Sequence, residues 1–268
     1  MRKKAKLNFV IFKALLGALL WLTFLIPNIV LAEANFSELV EKRLSKNGTI
    51  LDLGGLKIGI SGAKKLAKME KLSKVTALLL QGNKIQYKGM KVLAKSPFVK
   101  NIKQLDLWGN YLGDLGLKAL IDSPNFNNLE TLKLWNNEIG DDGLELMINS
   151  KKFKNLKTLL LNDNFVTERG VGYIVKVDLS KLETLGLFRN RIGDEGALIF
   201  AVANNLPNLK TLYIGQNALT DVGSVPMIES SNFPKLELLD LSLNSLGKET
   251  VKAVFKRNKK NPIQIIYR

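Results

Sequence analysis

LETLGLFRNRIGDEGALIF, residues 182–200, changes its apolar period halfway along. Up to Asn190 the apolar residues alternate, Leu185 then Leu187, as a short strand with one buried face requires. Beyond the glycine the spacing becomes helical, as it also does in GLKALI from Gly116 and GLELMI from Gly143. The stretch is therefore a strand, a turn and a helix. Such a unit cannot bury its own apolar face, so it has to stack against copies of itself.

The copies are present. Asn83, Asn110, Asn137, Asn164, Asn190, Asn217 and Asn244 follow one another at spacings of 27, 27, 27, 26, 27 and 27 residues. Each is preceded by the same apolar frame, from VTALLLQGN through LETLKLWNN to LELLDLSLN, and all but the last are followed six places on by a glycine, Gly89 to Gly223. An eighth unit lies upstream in TILDLGGLKIGISGAKKL, where Gly62 keeps the register and Leu56 stands in the asparagine position. Turns such as Gly193-Asp194-Glu195 combine a residue that permits a tight bend with acids suited to the positive end of a helix. Asp141, Asp142 and Glu145 lack the alternating oxygen ligands of a calcium loop, so no metal site is expected.

The frame LxxLxLxxNxL resembles the leucine-rich repeat, and units such as 182–200 are similar to the ribonuclease-inhibitor-like type of that family. The resemblance covers about residues 48–257. It implies an α/β solenoid of about eight repeats, curved, with parallel strands on the concave face and helices on the convex face. It also implies that Asn83, Asn110, Asn137, Asn164, Asn190, Asn217 and Asn244 form a ladder by bonding turn backbone. Leu56 cannot make those bonds, so the first turn should be held differently. A cap helix is expected over 35–47 and a closing cap strand over 258–268.

The chain has 268 residues, with no cysteine and no histidine. Disulfides, thiolate nucleophiles, imidazole bases and the usual zinc ligands are thereby excluded. No acidic pair stands apart from the repeat positions, so no catalytic residue, enzyme activity or cofactor is expected. Residues 1–34 have the layout of a secretory signal: a basic start MRKKAK, an apolar run, and IVLAEA ending in small residues. Cleavage after Ala32 and cleavage after Ala34 both fit, and the uncharged run Ala14–Leu31 leaves an uncleaved anchor as the alternative. Either way the repeats are expected outside the cytoplasm, in the periplasm, at the cell surface or secreted, in a protein of bacterial character.

The outward slots of the strands carry the functional signal. In LxxLxLxxN the residue between the last two leucines and the residue after them point away from the core. LDLWGN (105–110) and LKLWNN (132–137) put Trp108 and Trp135 in one such slot, one repeat apart. With Leu79, Leu160, Phe188 and Tyr213 they make six large apolar residues predicted on one face, flanked by Asp106, Lys133 and Arg189. These nine residues are the expected contact set for a protein partner, since bare tryptophan and tyrosine concentrate binding energy. Thr131, Thr158, Thr184 and Thr211, one slot earlier, are expected to be a β-branched ladder only. The net charge of +16 is uneven: 15 bases and 5 acids over 33–103, 13 and 18 over 104–247, 7 and 1 over 248–268. Lysines coating the outer helices are one account, and adhesion to anionic lipid or polymer is the other. Nucleic acid is not an expected partner, because the aromatics sit beside Asp106 and Asp163 rather than among lysines. The expectation is a monomeric, exported, protein-binding scaffold, touching membrane only through an uncleaved N-terminus or its lysines.

Overall fold

The computed structural model describes residues 35–268, so the expectations placed on 1–34 lie outside the described residues. Among the described residues no helix is long and apolar enough to cross a membrane. The chain divides into two units, Met1–Arg43 and Leu44–Arg268. In the first, residues 35–43 form helix α1. The helix expected over 35–47 thus stops earlier, and Leu44 makes an antiparallel bridge to Leu51 within the second unit.

The second unit is one open sheet of nine parallel strands in chain order. These are β1 (Ile50–Asp52), β2 (Ala77–Leu79), β3 (Gln104–Asp106), β4 (Thr131–Lys133), β5 (Thr158–Leu160), β6 (Thr184–Gly186), β7 (Thr211–Tyr213), β8 (Leu238–Asp240) and β9 (Gln264–Ile266). Between them run α2 (Gly59–Leu66), α3 (Gln86–Leu93), α4 (Gly113–Ile121), α5 (Asp141–Glu145), α6 (Glu168–Ile174), α7 (Gly193–Val202), α8 (Asp221–Glu229) and α9 (Lys248–Lys260). Packed helices need about 8–10 Å each and paired strands only about 4.8 Å, so the sheet takes the inner side of the curve. The fold is the leucine-rich-repeat solenoid that the frame implied. The closing strand occupies only Gln264–Ile266 of the expected 258–268, because α9 runs on through Lys260.

The central residue of each repeat strand is a leucine. Leu51, Leu78, Leu105, Leu132, Leu159, Leu185, Leu212 and Leu239 are buried and face their counterparts in register. The asparagines close each turn from inside. Asn137 Nδ2 donates to Leu107 O at 2.9 Å and Trp135 O at 3.0 Å. Its Oδ1 accepts from the Asn110 N–H at 3.1 Å, so each side chain ties two repeats together. The first turn, which has Leu56, lacks an amide of its own: Asp52 Oδ1 accepts from Gly54 N–H within the turn, and Asn83 Oδ1 of the next repeat accepts from Ile58 N–H, as Asn110 and Asn137 do for the turns before them.

The acids at the helix starts do more than face their own helix dipole. Asp114 accepts from Gly140 N–H at 2.8 Å, Asp141 from Thr167 N–H at 2.9 Å, Asp194 from Thr220 N–H at 2.8 Å, and Asp221 from Gly247 N–H at 2.7 Å. Each therefore stitches its repeat to the next. This accounts for the glycine at some of the repeats, since a Cβ on Gly143 would come within 2.5 Å of Asp114 Oδ1 and one on Gly223 within 2.6 Å of Asp194 Oδ1, whereas at Gly89, Gly116 and Gly196 it would meet the Ile85, Leu112 and Ile192 side chains. Asp141 is committed to Thr167, and Asp142 pairs with Arg169.

Candidate partner-binding face

The backbone ladder continues past the three-residue strands and fixes the tryptophan slot. Gly82 N–H donates to Trp108 O at 2.7 Å and Gly109 N–H to Trp135 O at 2.9 Å. Trp108's own N–H donates to Asp106 Oδ1 at 3.2 Å. With the main chain held, the two indoles stack at a centroid separation of 5.3 Å and an interplanar angle of 30°. They remain bare all the same: Trp108 is 46% and Trp135 39% exposed.

The rest of the expected contact set is less open than the alternation implies. Leu79, Leu160, Phe188 and Tyr213 are half-buried, and of the six large apolar residues the two tryptophans alone are exposed. The cause is lateral packing across a strand spacing of about 4.8 Å, where small slots give neighbours room to lie flat. Leu160 leans over Gly186, whose missing Cβ would sit 2.8 Å from Leu160 Cδ2, and Phe188 leans over Gly215, at 2.7 Å from its Cε2. Asp106 is buried as well. Its Oδ1 caps Trp108 and its Oδ2 lies 3.4 Å from Lys133 Nζ, which makes it a positioning residue rather than a contact. Lys133 is half-buried by that pairing, and Arg189 stays exposed with its Nε 3.5 Å from Asp163. The charges beside the tryptophans are thus already balanced.

Two exposed aromatics escaped the slot argument. Tyr111 and Phe165, each one residue past a ladder asparagine, are both 48% exposed, and the Arg191 guanidinium lies 5.2 Å above the Phe165 ring. They stand at the C-terminal rim of the strands. The signal was present in the sequence, since that position holds Lys84, Glu138 and Ala218 in other repeats and an aromatic only in these two. A second, outer column of asparagines was also missed. Asn101, Asn128 and Asn208 donate to Ser73, Lys100 and Ser180 carbonyls of the preceding repeat, at 2.8, 2.8 and 2.7 Å.

Residues 71–94, 127–147 and 178–201 match the Leucine Rich repeat family model. A comparison with the curated proteins found no match. Among solved structures, the chain is similar to a leucine-rich-repeat protein of Leptospira interrogans, at 20% identity and a TM-score of 0.43 over 75% of this chain. The similarity spans 50% of that protein's length. The asparagine ladder, the nine-stranded parallel sheet and the three matched segments together describe a leucine-rich-repeat solenoid fold.

Proposed function

We propose that the chain is a non-catalytic scaffold that recognises a protein partner through its strand face, with Trp108 and Trp135 as the anchor. The observation that carries this reading is a pair of large aromatics, fixed in backbone and stacked on each other, that keep 46% and 39% of their surface in water. Rigid exposed tryptophan lowers the ordering cost of binding and gains most from desolvation by a partner. Leu79, Leu160, Phe188 and Tyr213 form a semi-covered apolar surround, and the exposed Arg189, paired with Asp163, offers a polar contact at its edge. The basic and apolar opening of the sequence supports export, to the envelope or beyond it, where a host protein is one class of target. The test is crosslinking capture from envelope and host-cell fractions. A partner retained by the native chain and lost by a Trp108→Ala, Trp135→Ala double variant is expected; equal retention sinks the reading.

A second reading has its own observation. Lys64 on α2 and Lys68 just past its end are exposed and form no ion pair among the described residues, leaving uncompensated positive charge on the helical side. Adhesion to anionic lipid or polymer through such lysines would collapse by about 0.3 M salt and ignore the tryptophan changes, whereas recognition through the aromatic face is salt-tolerant.

A further inference from the structure

The junction between α3 and α4 lacks a carboxylate stitch on the helical side. Where Asp114, Asp141, Asp194 and Asp221 stitch one helix start to the next, α3 carries Tyr87. A phenol cannot collect the backbone N–H groups that those carboxylates collect, and the ring lies on the surface, 38% exposed, with Lys88 Nζ 5.9 Å from its centroid. Opposite it, Leu115 of α4 is 59% exposed. Between these two walls lies a groove of about 530 Å³, with Ala94 and Ala119 among its lining residues and Lys91 and Lys95 along the α3 rim.

The geometry points to this groove as a binding site for a free carboxylate-bearing amphiphile of the long-chain fatty acid class. Shape supplies the first argument. Tyr87 to Lys95 run along about eight residues of helix and turn, roughly 12 Å at 1.5 Å per residue, while a helix is about 10–12 Å across with its side chains. The groove is therefore shorter than an ordinary helix of about 11 residues, roughly 16 Å, and, within the roughly 300–1,000 Å³ of small-molecule sites, of a size for the carboxyl-proximal part of one flexible chain. Charge supplies the second argument. Lys118 is neutralised by Asp122 at 2.6 Å, but no carboxylate pairs with Lys91 or Lys95 among the described residues, so the rim carries two free cations beside an apolar lining. An apolar tail would lie between Tyr87 and Leu115, and its carboxylate would reach the α3 lysines.

The experiment titrates the full-length chain with cis-parinaric acid, with its methyl ester, and with free oleate as competitor. Saturable binding of the acid is expected, displaced by oleate. A Lys91→Gln, Lys95→Gln variant should weaken it by roughly fivefold to tenfold, as for two partly solvated cations, and leave the ester unchanged. Ala119→Trp should abolish both. If that variant fails to fold, the lysine variant still decides the matter, because those side chains support no packing. Absence of saturable binding, or binding that neither variant changes, overturns the proposal. So does an ester that binds as tightly as the acid.

Discussion

Glu130 Oε2 accepts a hydrogen bond from Lys157 Nζ at 2.8 Å, while its Oε1 lies 3.1 Å from Lys103 Nζ. The three are neighbours in a column of alternating sign, Lys103, Glu130, Lys157, Glu183, Lys210 and Glu237, each one residue ahead of a strand. Lys210 and Glu183 continue the pairing at 2.9 Å. A slip of one repeat would set like charges opposite each other, so the column favours one register.

Lys157→Glu should therefore set three carboxylates in a row and lower the melting temperature. The loss should shrink between about 0.1 M and 1 M salt, as the screening length falls from about 10 Å to about 3 Å. Melting curves at the two salt concentrations check this, and an unchanged midpoint at low salt would remove the column from the stability account.

Acid titration reads the same contacts. Hydrogen bonds from Lys157 and Lys103 hold the Glu130 carboxyl below its ordinary value, the bond from Lys210 does so for Glu183, and the Thr250 hydroxyl with the Gly247, Thr250 and Glu249 N–H groups does so for Asp221. A depressed carboxyl contributes stability that is fully present above its unfolded value of about 4 and is lost as pH falls through the folded one. Lys157 and Lys210 are raised by Glu130 and Glu183, so their share persists below about pH 10.4 and fades as pH rises past it. The midpoint should be flat in between and drop on both sides. Asp221→Asn should lower the neutral plateau and make the acid limb shallower, and an acid limb identical to that of the native chain would contradict the assignment.

Removing a ladder amide leaves its buried backbone partners unpaired. Asn137→Ala and Asn164→Ala should each cost about 1–3 kcal/mol, measured by denaturant unfolding. Asn137 has no exposed surface and Asn164 is 5% exposed, so water cannot replace the lost bonds. Unchanged stability in both variants would show that the turns are held by other means.

The fold was legible because its determinants are local and periodic. The leucine alternation and the asparagine spacing reported strand, turn and core directly, and both survive in the structure. The site was legible only in part. That Trp108 and Trp135 share a slot follows from alternation, but how far Leu160 and Phe188 would fold down depended on glycines one repeat away, at Gly186 and Gly215. Asp106 was on the predicted face, yet its capping bond to Trp108 N–H fixes it as support. Tyr87 broke a column of acids whose stitching role became apparent only from the contacts between neighbouring helices.

The residue before each ladder asparagine adopts a left-handed backbone throughout, from Gly82 at φ +67° to Leu243 at φ +57°. Leucine pays for that conformation, by about 1–2 kcal/mol, and its side chain is 67% exposed, so packing returns little. Leu243→Gly should raise stability by about 0.5–1 kcal/mol despite glycine's greater freedom when unfolded. Thermal melts decide it, and a fall in the midpoint would mean that Leu243 makes stabilising contacts.

The most direct test of the central claim is to measure folding stability and partner affinity together on the single variants Trp108→Ala and Trp135→Ala. Two exposed, backbone-fixed anchors should each lose about 2 kcal/mol or more of binding on truncation while stability changes by about 1 kcal/mol or less, the worth of one aromatic pair. The opposite pattern, affinity retained while folding loses about 3–5 kcal/mol as for a buried tryptophan, would show that the pair is packing and that recognition lies elsewhere.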